Sequence, residues 1–183
     1  MSDKIYQVKN RSASRVCYRI PEDGIRREFA PGEVRKISFT ELEKLSFQPG
    51  GREMMAQFLQ ITEEAAQEFG IHTEPEYNMS EQDIAELLKN GSLDAFLDCL
   101  DFAPVGVIEI VKALAVQLPL ENTAKRDALK KKTGFDVEAA LRNIAAEKEE
   151  NPVAAAPERR VQPEVTTGRR TSGSNYKIIK TAE

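Results

Sequence analysis

The sequence predicts an α+β chain: a small N-terminal antiparallel β-module, then a bundle of short α-helices, then a flexible basic C-terminal tail. Three observations carry this expectation. Apolar residues alternate with polar ones between residues 4 and 38, they recur at three and four residues from Ser80 onward, and beyond Lys148 they give way to Pro, Gly, Ser, Thr and Arg. The shifts divide the chain into 1–72, 79–148 and 149–183.

Within the first segment, 5–8, 15–20, 25–29 and 34–37 read as strands. Val16, Tyr18 and Ile20 alternate with Cys17 and Arg19, the period-two mark of a half-buried strand. Pro21-Glu22-Asp23-Gly24 and Ala30-Pro31-Gly32-Glu33 supply turns, so two hairpins in series, a meander, are expected. Thr40-Glu41-Leu42-Glu43 matches a capping box and predicts a short helix beginning at Glu41. Met54, Met55, Phe58, Leu59 and Ile61 fit either a helix or a strand returning to the sheet, so 52–61 is open between the two. A second short helix over 62–69 stops at Gly70. His72 and the polar, Pro-containing 73–78 form the connection to the next segment.

The second segment changes period. Ser80 caps a helix bearing Ile84, Leu87 and Leu88, and Ser92 caps one whose Leu93, Phe96, Leu97 and Leu100 make a single apolar stripe. A third helix with Val107, Ile108, Val111, Leu114 and Leu118, ended by Pro119, is apolar nearly all round and is expected at the centre. Asn122 opens a fourth over 123–132, closed by Gly134, and Asp136 caps a fifth that should bury Val137, Leu141 and Ile144. Each large apolar side chain buried in such a bundle contributes roughly 1.5–3 kcal/mol, which short helices need because they are marginal alone.

Charge and cysteine usage narrow the classes. The 183 residues carry a net charge of −4, yet residues 157–183 hold six basic side chains against three acidic ones, so an acidic body bears a basic tail. Cys17 and Cys99 each sit inside an apolar pattern and read as buried, reduced thiols, consistent with a reducing compartment. Neither an apolar leader nor a membrane span is legible, and a cytoplasmic protein without membrane attachment is expected.

Little here points to a reaction. His72 is the only histidine and has no nucleophile or metal ligand near it in sequence, and the lone acidic trio, Asp94, Asp98 and Asp101, reads as a solvated or docking face rather than a cation site. No catalytic residue, metal or cofactor is assigned, and the chain is expected not to be an enzyme. Two groups remain. Lys125, Arg126, Lys130, Lys131 and Lys132 crowd one helix and could bind phosphate, although lysines in a last helical turn also complement its dipole. In the tail, Arg169 and Arg170 lie on a spacer before Tyr176-Lys177-Ile178-Ile179-Lys180. The alternation in 175–180 fits a tethered strand that adds to a partner's sheet edge, against the simpler reading of a frayed end.

The stretch GSLDAFLDCLDFAPVGVIEIVKALAVQLPLENTAKRDALKKKTGFDVEAALRNI, residues 91–144, resembles small virion or assembly proteins of tailed bacteriophages and prophages, with paired leucine-rich helices before Leu-Pro-Leu and a Lys-Arg helix ending in Lys-Thr-Gly-Phe-Asp-Val. NRSASRVCYRIPEDGIRREFAPGEVRKIS is similar to the β-modules of phage head and tail accessory proteins. The resemblance implies a structural head, neck or tail component that assembles in the host cytoplasm into the virion and binds other virion proteins or copies of itself. Two other readings stand beside it: a nucleic-acid-associated module using the cluster at 125–132 with the tail arginines, and a bacterial adaptor or regulator unrelated to a virus.

Overall fold

A computed structural model describes residues 4–72, 74–118 and 120–150, and the chain is α+β. The N-terminal part contains β1 (Ile5–Asn10), β2 (Val16–Ile20), β3 (Ile25–Phe29), β4 (Val34–Ser38), α1 (Phe39–Phe47), α2 (Gly51–Gln57), β5 (Leu59–Gln60) and α3 (Glu63–Glu68). After a single turn of 3-10 helix at Pro75–Tyr77 come α4 (Glu81–Lys89), α5 (Leu93–Phe102), α6 (Val105–Gln117), α7 (Thr123–Thr133) and α8 (Val137–Glu150).

The strands do not form the expected meander. β2 and β3 make one antiparallel hairpin, while β1 pairs with β4 and β5 in a separate antiparallel sheet of order β4-β1-β5. The reason lies in Asn10, whose fully buried amide donates to the carbonyls of Ser14 (2.8 Å), Phe29 (3.2 Å) and Ala30 (3.0 Å) and accepts from Ser12 N (2.8 Å). That amide holds β1 away from β2 and ties it to the end of β3. The turn at Ala30, closed by Glu33 N on Ala30 O (3.0 Å), then carries the chain to the far side of β1, where Gly32 N meets Asn10 O at 3.1 Å. Gly32 has φ 69°, open to glycine without steric cost.

The alternation in β2 places Val16, Tyr18 and Ile20 inside and leaves Cys17 exposed, so the expectation of a buried Cys17 thiol fails on the same periodicity that identified the strand. The α1 cap also differs from expectation. Ser38, not Thr40, accepts from Glu41 N (3.2 Å), and the helix starts at Phe39. Glu41 is thereby freed to point inward. Segment 52–61 turns out to be both alternatives in succession: α2 runs to Gln57, and Leu59–Gln60 then returns as β5 against Asn10 and Lys9.

Two apolar cores result. One gathers β1 to β4 around Ile20, Phe29, Leu42, Met55 and Leu59; the other gathers the helices around Ile84, Phe96, Val107, Val111 and Leu129. Each expected cap in the helical part is present. Ser80 and Asp83 form a reciprocal capping box, Ser92 accepts from Ala95 N (3.1 Å), Asn122 from Lys125 N (3.3 Å), and Asp136 from Glu138 N and Ala139 N. α6 packs on α4 and α8, and its N-terminal turn reaches the β-part.

That reach is a tight seam. Val105 N, at a helix start whose N-cap Pro104 supplies no side-chain acceptor, donates to Gln57 Oε1 at 3.0 Å. A Cβ on Gly106 would stand 2.9 Å from Arg11 O and 3.0 Å from Gln57 O, so glycine permits the approach of two backbones. One turn on, Glu109 Oε2 accepts from both Ser12 Oγ (2.6 Å) and Ser14 Oγ (2.9 Å). Arg11 is buried beside this seam. Its Nη2 donates to Leu59 O (2.9 Å), Nε has no partner among the described residues, and burial pulls its pKa down to about 10.

Candidate interaction surfaces

The basic helix α7 spends most of its charge internally. Lys125 is 1% exposed and donates its ammonium to Leu87 O (2.8 Å) and Leu88 O (2.9 Å), the last-turn carbonyls of α4, with the ring centroid of Phe96 5.9 Å away. Carbonyls at a helix C-terminus lack intrahelical donors and carry partial negative charge, so a buried ammonium there satisfies both. Desolvation lowers the Lys125 pKa below its ordinary value. The phosphate-binding expectation therefore meets a geometric objection at Lys125, whose charge is inside the protein.

Its neighbours are also engaged. Arg126 bridges to Glu138 (3.0 Å), Lys130 to Asp136 (2.7 Å), and Lys132 to Asp101. Contact with Asp136 raises the Lys130 pKa, chiefly through the hydrogen bond itself. Exposed pairs of this kind contribute little, about 0–1 kcal/mol each, and could be exchanged for phosphate contacts. Lys131 alone of the five has no hydrogen bond or ion pair among the described residues.

The acidic face of α5 is likewise divided. Asp98 accepts from the Tyr77 hydroxyl (3.0 Å), Asp101 holds Lys132, and Asp94 stays exposed. Burial, with the Asp98 hydrogen bond next, pushes the Tyr77 hydroxyl up to about 12. Among the described residues no three His, Cys, Asp or Glu side chains converge as a metal site would require. His72 is exposed in the connection between the two parts. Cys99 is buried and desolvation pushes its thiol up to about 11, which leaves it a packing residue rather than a nucleophile.

α8 departs from expectation in a way that bears on partners. Val137 is buried against the helical core, but Leu141 and Ile144, the following turns of the same apolar stripe, are 45% and 37% exposed. The stripe at i, i+4 and i+7 is intact in sequence, and the bundle is wide enough only for its first turn. Sequence periodicity reports that a face is apolar. It does not report what covers it.

A second surface follows β1. Its even-numbered residues turn their main chain toward β4, as Lys4 O accepting from Phe39 N (2.7 Å) and Asn10 N donating to Glu33 O (2.9 Å) show; Arg11 N donating to Phe58 O (3.0 Å) puts the odd-numbered ones on the β5 side. β5 stands opposite Lys9 and Asn10 alone. A hollow of about 670 Å³ runs beside the rest of β1, lined by Lys4 to Gln7 on one wall and Thr62, Glu63 and Glu64 on the other. One of about 310 Å³ continues past Lys9 and Gln60. Sequence reasoning missed this edge because strand order, not strand content, creates it.

The tail residues Arg169, Arg170, Tyr176, Lys177, Ile178, Ile179 and Lys180, and the strand expected at 175–180, lie outside the described residues. No helix among the described residues is long and apolar enough to cross a membrane. No protein-family model, curated protein or solved structure matches the chain.

Proposed function

We propose that this chain is a non-enzymatic assembly component, a tailed-bacteriophage head, neck or tail protein that binds neighbouring virion proteins or copies of itself through α8 and a tethered C-terminal peptide. The observation that carries the reading is the exposed pair Leu141 and Ile144 on a helix that leads directly into the basic tail. Two successive apolar positions left exposed on one helix face fit a contact surface, and the residue run resembling phage assembly proteins ends at the second of them. The virion assignment itself rests on that resemblance.

The nucleic-acid reading draws less support. Lys125 is withdrawn from the surface, and Arg126, Lys130 and Lys132 would have to leave carboxylates to reach phosphate.

Deleting residues 174–183, and separately replacing both Leu141 and Ile144 with Glu, tests the proposal. Each change is expected to leave thermal unfolding of the body within a few degrees while reducing co-sedimentation with capsid, neck or tail proteins encoded beside this gene. Undiminished co-assembly of both variants, or a gene neighbourhood without virion genes, would overturn it.

A further inference from the structure

We infer that the open edge of β1 accepts residues 175–180 of a second copy of this chain as an added antiparallel strand, so that the protein links to itself by donating its tail. The inference rests on the assembly reading above and names the partner of the tail.

The acceptor is specific in its chemistry. Ile5 and Gln7 present N–H and C=O toward the groove, and no strand lies against them among the described residues because β5 ends its pairing at Lys9. Both side chains are exposed on the outer face of the sheet, where Val34 is also 53% exposed opposite Lys9. An unpaired main-chain row is what strand addition uses: main-chain bonds supply affinity, and alternate side chains, here Ile5 and Val34 among polar Gln7, Lys9 and Lys36, supply register.

The occupant is argued from charge and reach. The groove's far wall carries Glu63 and Glu64 in the first turn of α3, both exposed and neither in an ion pair among the described residues. Tyr176-Lys177-Ile178-Ile179-Lys180 brings two ammonium groups and three apolar or aromatic side chains that favour strands. Lys4 on the near wall is already held by Glu68 at 2.7 Å, so among the described residues the unpaired charges lining this hollow are Glu63 and Glu64. Between the end of α8 at Glu150 and residue 175 lie 24 residues, which extended span up to about 80 Å, enough to reach a neighbour's groove.

The test uses the full-length chain. A 1:1 mixture of isotopically heavy and light protein is treated with a carbodiimide, which joins a carboxylate to an amine in contact with it, and the products are mapped by mass spectrometry. Crosslinks from Glu63 or Glu64 to Lys177 or Lys180 are expected, with mixed heavy-light species present. Ile5→Pro removes an edge donor at the first residue of β1 without touching the even-numbered ladder to β4, and is expected to lower that crosslink roughly tenfold, the loss of about one ladder bond. Ile178→Pro, which removes a donor from the added strand, should do the same.

Crosslinks spread evenly over the acidic surface, exclusively same-isotope products, or indifference to both proline variants would each overturn the inference. If deleting 174–183 abolishes co-assembly while these crosslinks are absent, the tail docks elsewhere and only the acceptor named here falls. If the deletion leaves co-assembly intact, the assembly reading falls with it.

Discussion

Glu41 in the β-part and Lys125 in the helical part are both buried charges, and their surroundings neutralise them differently. In the β-part Glu41, 6% exposed, accepts from Tyr18 Oη (2.6 Å) and, in bidentate fashion, from Arg27 Nε and Nη2 (2.9 Å each). The Arg27 hydrogen bonds hold its carboxyl below the usual range, against the opposing cost of burial. In the helical part Lys125 meets no carboxylate among the described residues and rests on the carbonyl end of α4. The Glu41 charge can be lost at modest cost if an acceptor stays at position 41 for the buried Tyr18 hydroxyl, since half-exposed Arg27 can rehydrate. Removing the ammonium takes the donor from the buried Leu88 carbonyl, while Leu87 O keeps Gly91 N at 3.2 Å. The helical core should therefore be the more sensitive to loss of its charge.

Lys125→Met breaks that comparison most severely. It keeps the apolar stem and deletes the donor to Leu87 and Leu88, and is expected to cost about 3 kcal/mol in urea unfolding. Gly106→Ala should cost about 2 kcal/mol, because the added methyl meets two backbone carbonyls at the seam. It should also separate the unfolding of the two cores, seen as near-UV and far-UV transitions that no longer coincide.

Glu41→Gln sharpens the comparison through pH, at about 1 kcal/mol. A carboxyl whose folded pKa is depressed stabilises above the unfolded value of 4.5 and loses that contribution as pH falls through the folded pKa. Urea midpoints measured from pH 6 to pH 3 should thus fall steeply for the wild type and more gently for the variant. Lys125 titrates at the other end: its lowered pKa means stability rises as pH climbs through the folded value toward 10.5. The smallest effect belongs to Lys131→Ala, within about 0.5 kcal/mol, since this exposed residue holds no partner among the described residues.

The same contrast governs what could be read from sequence. The helices were legible down to their caps at Ser80, Ser92, Asn122 and Asp136, because capping and the 3.6-residue period are local. Strands were legible as elements, but the β4-β1-β5 order was not, since the buried amide of Asn10 decides it through contacts with residues 19 and 20 positions away. Among candidate sites, the basic cluster on α7 was visible as charge, whereas its internal commitment through Lys125 depends on a helix 37 residues upstream. Leu141 and Ile144 were legible as apolar and misplaced inward, for periodicity carries no information about bundle width. The seam offered one sign, Gly106 in an otherwise bulky helix.

The seam also dictates an order of events during synthesis. Its contacts join residues 97 and 48 positions apart, Ser12 to Glu109 and Gln57 to Val105, so they pay loop closure before they return any stabilisation. The β-core is complete in sequence by Ile71 and can condense while the helical part is still being translated. Until α6 leaves the ribosome, Ser12, Ser14 and the carbonyls that flank Gly106 stay hydrated. The nascent chain thus passes through a stage in which one half is folded and its docking face is still wet.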